Sequence, residues 1–165
     1  MQRRTFLPMA GTALLAGCGF QLRQAPNFAF DTILITAENS SPLANQLRRS
    51  LAADGRVNVL PVGTDPSRAN VVLEIPVEQR EKVVVGINAS GQVREFQLRL
   101  RVNFRLRTPQ GRELIPVTEL LQQRDISFNE AAVLAKEAEE SLLYRDMQTD
   151  VVQQLMRRLA AIRLV

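Results

Sequence analysis

The most regular hydrophobic pattern of the chain lies between residues 96 and 107, where apolar and polar residues alternate without interruption. Phe, Leu and Val occupy the even positions, and Gln, Arg and Asn occupy the odd positions. Because successive side chains of a strand point to opposite faces of a sheet, this period of two predicts a half-buried antiparallel strand with one face in water. A turn sequence at 108–111 (TPQG) follows, so residues 113–127 are predicted to return as its partner strand.

Three β-rich segments precede this pair of strands. They are residues 30–36, 57–62 and 70–87. Pro61 ends the second segment or confines it to the edge of a sheet, because proline cannot donate a ladder hydrogen bond. The third segment is interpreted as one long strand that bends at Pro76, and the sequence at 88–91 (NASG) predicts the hairpin turn after it.

Two stretches have the spacing of amphipathic helices. Leucines at positions 43, 47 and 51 predict a helix over 42–54, with Ser41 as its N-cap and Gly55 as its C-cap. Residues 130–162 contain no Gly or Pro and carry an apolar stripe, and the sequence at 127–130 (SFNE) has the spacing of a capping box. The predicted fold class is therefore α+β: a mostly antiparallel four- to five-stranded sheet, with two helices packed on one face and the other face bare.

The first 17 residues predict a lipoprotein signal peptide. Arg3 and Arg4 precede a short apolar stretch, residues 7–15, which is too short to span a bilayer as a helix. The sequence at 15–18 (LAGC) resembles a bacterial lipobox, in which the signal is cut before the cysteine, so Cys18 is the predicted lipid attachment site. The arginine pair leaves both the general secretory route and the twin-arginine route open.

Lipidation explains why an exported chain carries one unpaired cysteine, Cys18. An N-acyl and an S-diacylglycerol group together give stable anchoring in a membrane. Gly19 stands where an Asp tends to retain lipoproteins at the inner membrane, which favours the outer membrane. The predicted organisation is a signal peptide (1–17), a lipidated tether (18–29) and a single domain (30–165).

Composition excludes most enzyme classes. A chain of 165 residues, 45% apolar and 23% charged, is typical of one globular domain. It contains no His and one Cys, so a Ser-His-Asp triad, a His-ligated zinc and an internal disulfide cannot form. No apolar run reaches the ~18–20 residues of a membrane-spanning helix. An enzyme that uses a pair of carboxylates, as glycosidases do, is the remaining alternative. We expect instead a binding protein with no enzymatic activity, no metal and no cofactor besides the covalent lipid.

The polar face of the 96–107 strand carries a row of arginines. They are Arg99, Arg101, Arg105 and Arg107. One interpretation is a solvated face on which Glu74, Glu78 and Glu119 neutralise the row. The other is a surface that contacts anions, either lipid phosphates or the acidic wall of a partner. Such a row usually indicates nucleic acid, but an exported protein is not expected to bind it.

Several short motifs together resemble the LPS-assembly lipoprotein family, LptE. The sequence at 18–23 (CGFQLR) is similar to the mature start of that family. The sequences at 134–137 (LAKE) and 143–147 (LYRDM) are similar to its long C-terminal helix, and the order of elements agrees across nearly the whole mature chain.

The resemblance implies an outer-membrane lipoprotein that plugs and helps to assemble the β-barrel protein LptD. It also implies binding of lipopolysaccharide during insertion into the outer leaflet. The chain would face the periplasm and the barrel lumen. The alternative function is that of a periplasm-facing accessory lipoprotein of an ABC-type lipid transport system.

The resemblance also supplies candidate binding residues. Lys136 matches the family best and is expected to contact the phosphates of lipid A; alternatively, it is an exposed lysine that pairs with Glu140. Family members can carry a basic residue at the hairpin before the arginine strand, where this chain has none, and Arg94 is the nearest substitute. Arg99 and Arg101 complete the expected lipopolysaccharide site.

Overall fold

The structure, a computed structural model, describes residues 27–38 and 40–163. Its elements are β1 (Thr32–Ala37), α1 (Pro42–Asp54), β2 (Asn58–Leu60), β3 (Val71–Ile87), β4 (Val93–Arg107), β5 (Glu113–Ser127) and α2 (Val133–Ala160), with 3₁₀ turns at Pro66–Arg68 and Glu130–Ala132. The predicted signal peptide and Cys18 lie outside the described residues.

All five strands belong to one sheet of order β2-β1-β3-β4-β5. Strand β1 pairs in parallel with both β2 and β3, and α1 is the crossover that joins β1 to β2. The three long strands β3, β4 and β5 form an antiparallel meander. The predicted α+β fold class and the edge position of the second strand are therefore confirmed, whereas the parallel pairings of β1 were not part of the prediction.

The long strand β3 bends where the sequence predicted it. Its register against β4 shifts between Glu74 and Val77, on either side of Pro76. The register shifts again around Gly86, where a Cβ atom would lie 2.9 Å from the Cβ of Glu95. This second irregularity lets the end of β3 approach β4 closely just before the hairpin turn.

Helix α1 has the predicted bounds and caps. The hydroxyl of Ser41 accepts a hydrogen bond from the N–H of Ala44 at 2.9 Å, and Gly55 is left-handed with φ of 70°. Glu78 of β3 adds a cap from outside the helix: its carboxylate accepts hydrogen bonds from the Ser41 hydroxyl and, at 3.3 Å, from the N–H of Leu43. The N-terminus of α1 is thereby fixed to the sheet.

The start of α2 differs from the predicted capping box. Ser127 is the last residue of β5 and pairs with Glu95, so it belongs to the sheet ladder and caps no helix. Asn129 caps the following 3₁₀ turn instead, where its side chain accepts a hydrogen bond from the N–H of Ala131 at 3.0 Å. Helix α2 then runs about 42 Å at 1.5 Å per residue.

The core lies between one face of the sheet and the two helices. The even-numbered side chains of β4 from Leu98 to Leu106 are fully buried. They pack with α1 and with α2 residues such as Met147 and Leu155, as the alternation predicted. The other face is not entirely bare, because Ala69 of the β2–β3 connection packs on Leu34 and Val72 there.

No helix within the described residues is both long enough and apolar enough to cross a membrane.

Candidate functional site

Two arginines of the β4 row share one carboxylate. Glu74 lies opposite Arg105 in the ladder and bonds its guanidinium, while its second oxygen accepts a hydrogen bond from Arg107 Nε at 2.7 Å. Burial opposes ionisation of Glu74, but the hydrogen bonds from Arg107 and Arg105 outweigh it, so the pKa of this carboxyl is lowered. One carboxylate therefore balances one of the two positive charges in this part of the row.

The middle of the row is also compensated, except at one position. Arg101 donates to Glu119 at 2.7 Å and lies 3.5 Å from Glu81. Arg99 donates to the amide oxygen of Gln97 at 2.8 Å, and no carboxylate of the described residues pairs with it. The interpretation that strand acids pair with the row is thus confirmed at three positions, Arg101, Arg105 and Arg107.

Two details of that interpretation need correction. Glu78 was expected among the neutralising acids, but it lies in the ladder opposite the buried Val102, on the helix face, where it caps α1. Glu81 takes part instead, because it lies opposite Arg99 and reaches the neighbouring Arg101.

The four predicted lipopolysaccharide-binding residues do not form a single site. Arg99 and Arg101 alternate with the buried Leu98 and Leu100, so they point away from the helices. Lys136 is carried by α2, which packs on the opposite face of the sheet. The sheet therefore separates Lys136 from Arg99 and Arg101, because α2 packs on the face opposite to the arginine row.

The ammonium group of Lys136 is held between β5 and α2. It donates to the hydroxyl of Ser127 at 3.0 Å and to Glu139 at 2.8 Å, and its side chain is 23% exposed. The alternative pairing with Glu140 is not observed. Glu140 instead lies 2.7 Å from the ammonium group of Lys82, on β3.

Lys136 lines a cleft of about 50 Å³ between the sheet and the start of α2. The same cleft is lined by Lys82, by two aromatic rings, Phe96 and Phe128, and by two acids, Glu137 and Glu140. The rings meet edge to face with centroids 5.3 Å apart, and the Lys82 ammonium lies 4.4 Å from the centre of the Phe96 ring. Both cations are already paired with acids, so the cleft suits a ligand whose anionic group displaces those carboxylates while an apolar part contacts the rings.

The sequence-based interpretation missed Lys82. A usable signal was present, because Lys82 and Lys136 are the only lysines among 21 basic residues. The ladder places Lys82 opposite Leu98, and therefore on the helix-covered face of the sheet. That placement depends on the register of β3 against β4. The register shifts at Pro76, so the face on which Lys82 lies cannot be predicted from the alternation of β3 alone.

Arg94 lies at the same end of the molecule as Lys136. Its carbonyl accepts a hydrogen bond from the N–H of Phe128 at 2.8 Å, and Arg94 lines a neighbouring cleft with Asn129 and Glu130. The structure therefore brings two of the four predicted residues, Lys136 and Arg94, to one end of the helix-covered face, and places Arg99 and Arg101 on the other face.

Comparison with known proteins adds the family. The model of the lipopolysaccharide-assembly family, LptE, matches residues 30–159. The chain belongs to the LptE family. The LPS-assembly lipoprotein LptE of Yersinia enterocolitica is 30% identical over 168 residues, which cover 98% of this chain and 78% of the relative. Its counterpart in Yersinia pestis is 31% identical with the same coverage.

Two solved lipoprotein structures share the fold. The solution structure of an uncharacterized lipoprotein B from Nitrosomonas europaea is 35% identical, with a TM-score of 0.74 over 87% of this chain and 91% of that one. The rare lipoprotein B of Shewanella oneidensis superimposes with a TM-score of 0.64 over 79% of this chain and 95% of that one, and at 19% identity it shows the fold alone.

Membership confirms the family indicated by the sequence motifs. The chain is an LptE-family lipoprotein of the cell envelope with a role in LPS assembly. The binding roles of Lys136, Arg94, Arg99 and Arg101 and the lipid on Cys18 stay predictions.

Proposed function

We propose that the chain is an outer-membrane lipoprotein, anchored by lipid on Cys18, that plugs the LptD β-barrel and helps to assemble it. In this position it binds lipopolysaccharide during insertion into the outer leaflet. The observation that supports lipopolysaccharide binding most directly is the position of Lys136. It lies in the family-matched region and lines a cleft with Lys82, the second lysine of the chain.

In the proposed binding mode, the two ammonium groups face the phosphates of lipid A. Each lysine is paired with one acid, Lys82 with Glu140 and Lys136 with Glu139, and a doubly charged phosphate displaces these carboxylates from the ammonium groups. Phe96 and Phe128 offer apolar contact to the acyl part of the ligand. Arg94 extends the positive charge at the same end.

The face of the sheet that carries the arginine row of β4 has a different role in this proposal. Its network of arginines, acids and amides is polar and faces away from the helices, which suits the polar interior of a barrel. Arg99 is the member of the row with a neutral partner, so its guanidinium keeps charge for an acid of the barrel wall. Arg99 and Arg101 thus contact the barrel, while Lys136 contacts the lipid.

Co-purification tests this function against its alternative. The tagged, lipidated full chain, extracted from membranes in mild detergent, is expected to bring down a large outer-membrane β-barrel. Recovery of an inner-membrane ATPase complex in place of the barrel would support the alternative function as an accessory lipoprotein of an ABC-type transporter, and would overturn the proposal.

A further inference from the structure

A second, larger groove lies between β3 and α2, beside the lysine cleft. Its volume is about 580 Å³, and it is open to solvent along one side of the helix. Its lining consists of Arg80, Lys82, Glu140, Ser141, Tyr144 and Arg145. None of the residues that the family motifs brought forward as binding candidates contributes to it.

The groove carries excess positive charge. Three of the six lining residues are cations and one is an acid, Glu140, which pairs with Lys82. Within the described part of the chain, neither Arg80 nor Arg145 has a carboxylate partner. Their contacts are neutral: Arg80 donates to the amide oxygen of Gln148 at 3.0 Å, and Arg145 donates to the carbonyl of Ser141 at 3.3 Å.

One of these cations is held in place by neutral groups. The guanidinium carbon of Arg80 lies 5.2 Å from the centre of the Tyr144 ring. The hydroxyl of Tyr144 donates to the carbonyl of Glu81 at 2.7 Å, which fixes the ring against β3. Because Arg80 is oriented by an amide and a ring, it keeps its full charge and loses little further side-chain entropy when an anion binds.

Apolar side chains run beside the groove along α2. Leu134 and Leu142 are 82% and 53% exposed, and Ala138 lies between them at a spacing of four residues. This row is adjacent to the row that contains Ser141 and Arg145. A ligand with an anionic head and an apolar tail would contact both rows at once.

We propose that this groove binds the phosphate group of an anionic lipid, through Arg80, Lys82 and Arg145, with the tail along Leu142. Guanidinium groups match the geometry of phosphate, and a phosphate of about −1.5 to −2 balances the excess charge of the groove. The proposal deepens the proposed function, on which it rests for the lipid source of the phosphate.

The chain contains a natural probe of this groove. Tyr144 is the only tyrosine, and there is no tryptophan, so intrinsic ultraviolet emission reports on the groove lining. The lipidated full chain is titrated with inorganic phosphate in one arm, and with detergent micelles containing phosphatidic acid or phosphatidylcholine in the other. We expect the emission of Tyr144 to change saturably with phosphatidic acid and more weakly with free phosphate. Saturation by free phosphate alone would overturn the lipid source, and saturation by neither would overturn the site.

Variants separate binding in the groove from general charge effects. Arg145→Gln is expected to weaken phosphatidic acid binding about fivefold or more, because it removes one charge-assisted contact. Arg157→Gln removes the same charge from an exposed position on the same helix and is expected to change nothing. Glu140→Gln is expected to tighten binding, because it frees Lys82. Equal losses for Arg145→Gln and Arg157→Gln, or weaker binding for Glu140→Gln, would contradict the proposal.

The outcomes also separate this inference from the proposed function. If Lys136→Gln weakens lipopolysaccharide binding while Arg145→Gln leaves phosphatidic acid binding intact, the groove proposal fails and the proposed function stands. If Arg145→Gln weakens phosphatidic acid binding while Lys136→Gln leaves lipopolysaccharide binding intact, the groove is supported and the Lys136 contact fails.

Discussion

Lys82 of β3 and Lys136 of α2, the only two lysines of the chain, line the same cleft although they belong to distant elements. The cleft exists because α2 begins after a 3₁₀ turn, which places its first turn beside the ends of β3 and β5. Glu140 on α2 pairs with Lys82, and the hydroxyl of Ser127 on β5 accepts a hydrogen bond from Lys136. Sheet and helix each contribute one cation, so the site depends on their packing.

The carboxylate of Glu74 is expected to make stability depend on pH in the acid range. Its pKa is lowered from 4.5 in the folded state, so its contribution is present above that value and is lost as pH falls through the lowered pKa. Glu74→Gln is expected to lose about 1–2 kcal/mol at neutral pH, because Arg105 and Arg107 lose their shared partner.

Urea unfolding of the two proteins at several pH values measures this. The variant should show a smaller loss of unfolding free energy than the parent between neutral and acid pH. An equal acid dependence in both proteins would show that Glu74 is not the titrating group.

Burial predicts that two leucines of α2 contribute very differently to the free energy of unfolding. Leu155 is fully buried against the sheet, so Leu155→Ala is expected to lower the free energy of unfolding by about 2–5 kcal/mol. Leu134→Ala, on the same helix but 82% exposed, serves as the matched control and is expected to change it by less than about 0.5 kcal/mol. Chemical denaturation followed by circular dichroism makes the comparison. A large loss at Leu134 would contradict the exposed position of this side chain.

Membrane attachment is expected to depend on Cys18. Acyl chains contribute ~0.8 kcal/mol per buried CH₂, so Cys18→Ala should move the protein from the membrane fraction to the soluble fraction. Gly19→Asp keeps the cysteine and is expected to shift the protein from the outer to the inner membrane. Fractionation of the envelope followed by immunoblotting detects both changes. A Cys18→Ala protein that stays in the membrane fraction would contradict lipid anchoring at this residue.

Local patterns were sufficient to predict most of the elements. The alternation in 96–107 gave the buried row of β4, and the leucine spacing with Ser41 and Gly55 gave both ends of α1. These features depend on contacts within one segment, where sequence and structure correspond directly. The capping box failed because its first residue, Ser127, is held by the ladder of β5, which is a long-range interaction.

The candidate site was harder to predict from the sequence than the elements were, because it depends on long-range packing. Arg99 and Lys136 were expected together on the basis of charge and family likeness, yet the sheet separates them. Lys82 joins Lys136 only through the register of β3 against β4 and the packing of α2. No local spacing encodes either relationship.

Lipopolysaccharide binding by two matched double variants tests the central claim most directly. Lys82→Gln with Lys136→Gln removes two positive charges from the cleft, and Arg99→Gln with Arg101→Gln removes two from the opposite face. In equilibrium binding to the lipidated full chain, the lysine pair is expected to lose about tenfold or more in affinity, and the arginine pair to stay near the parent. Equal losses, or a loss confined to the arginine pair, would contradict the assignment of the lysine cleft as the lipopolysaccharide site.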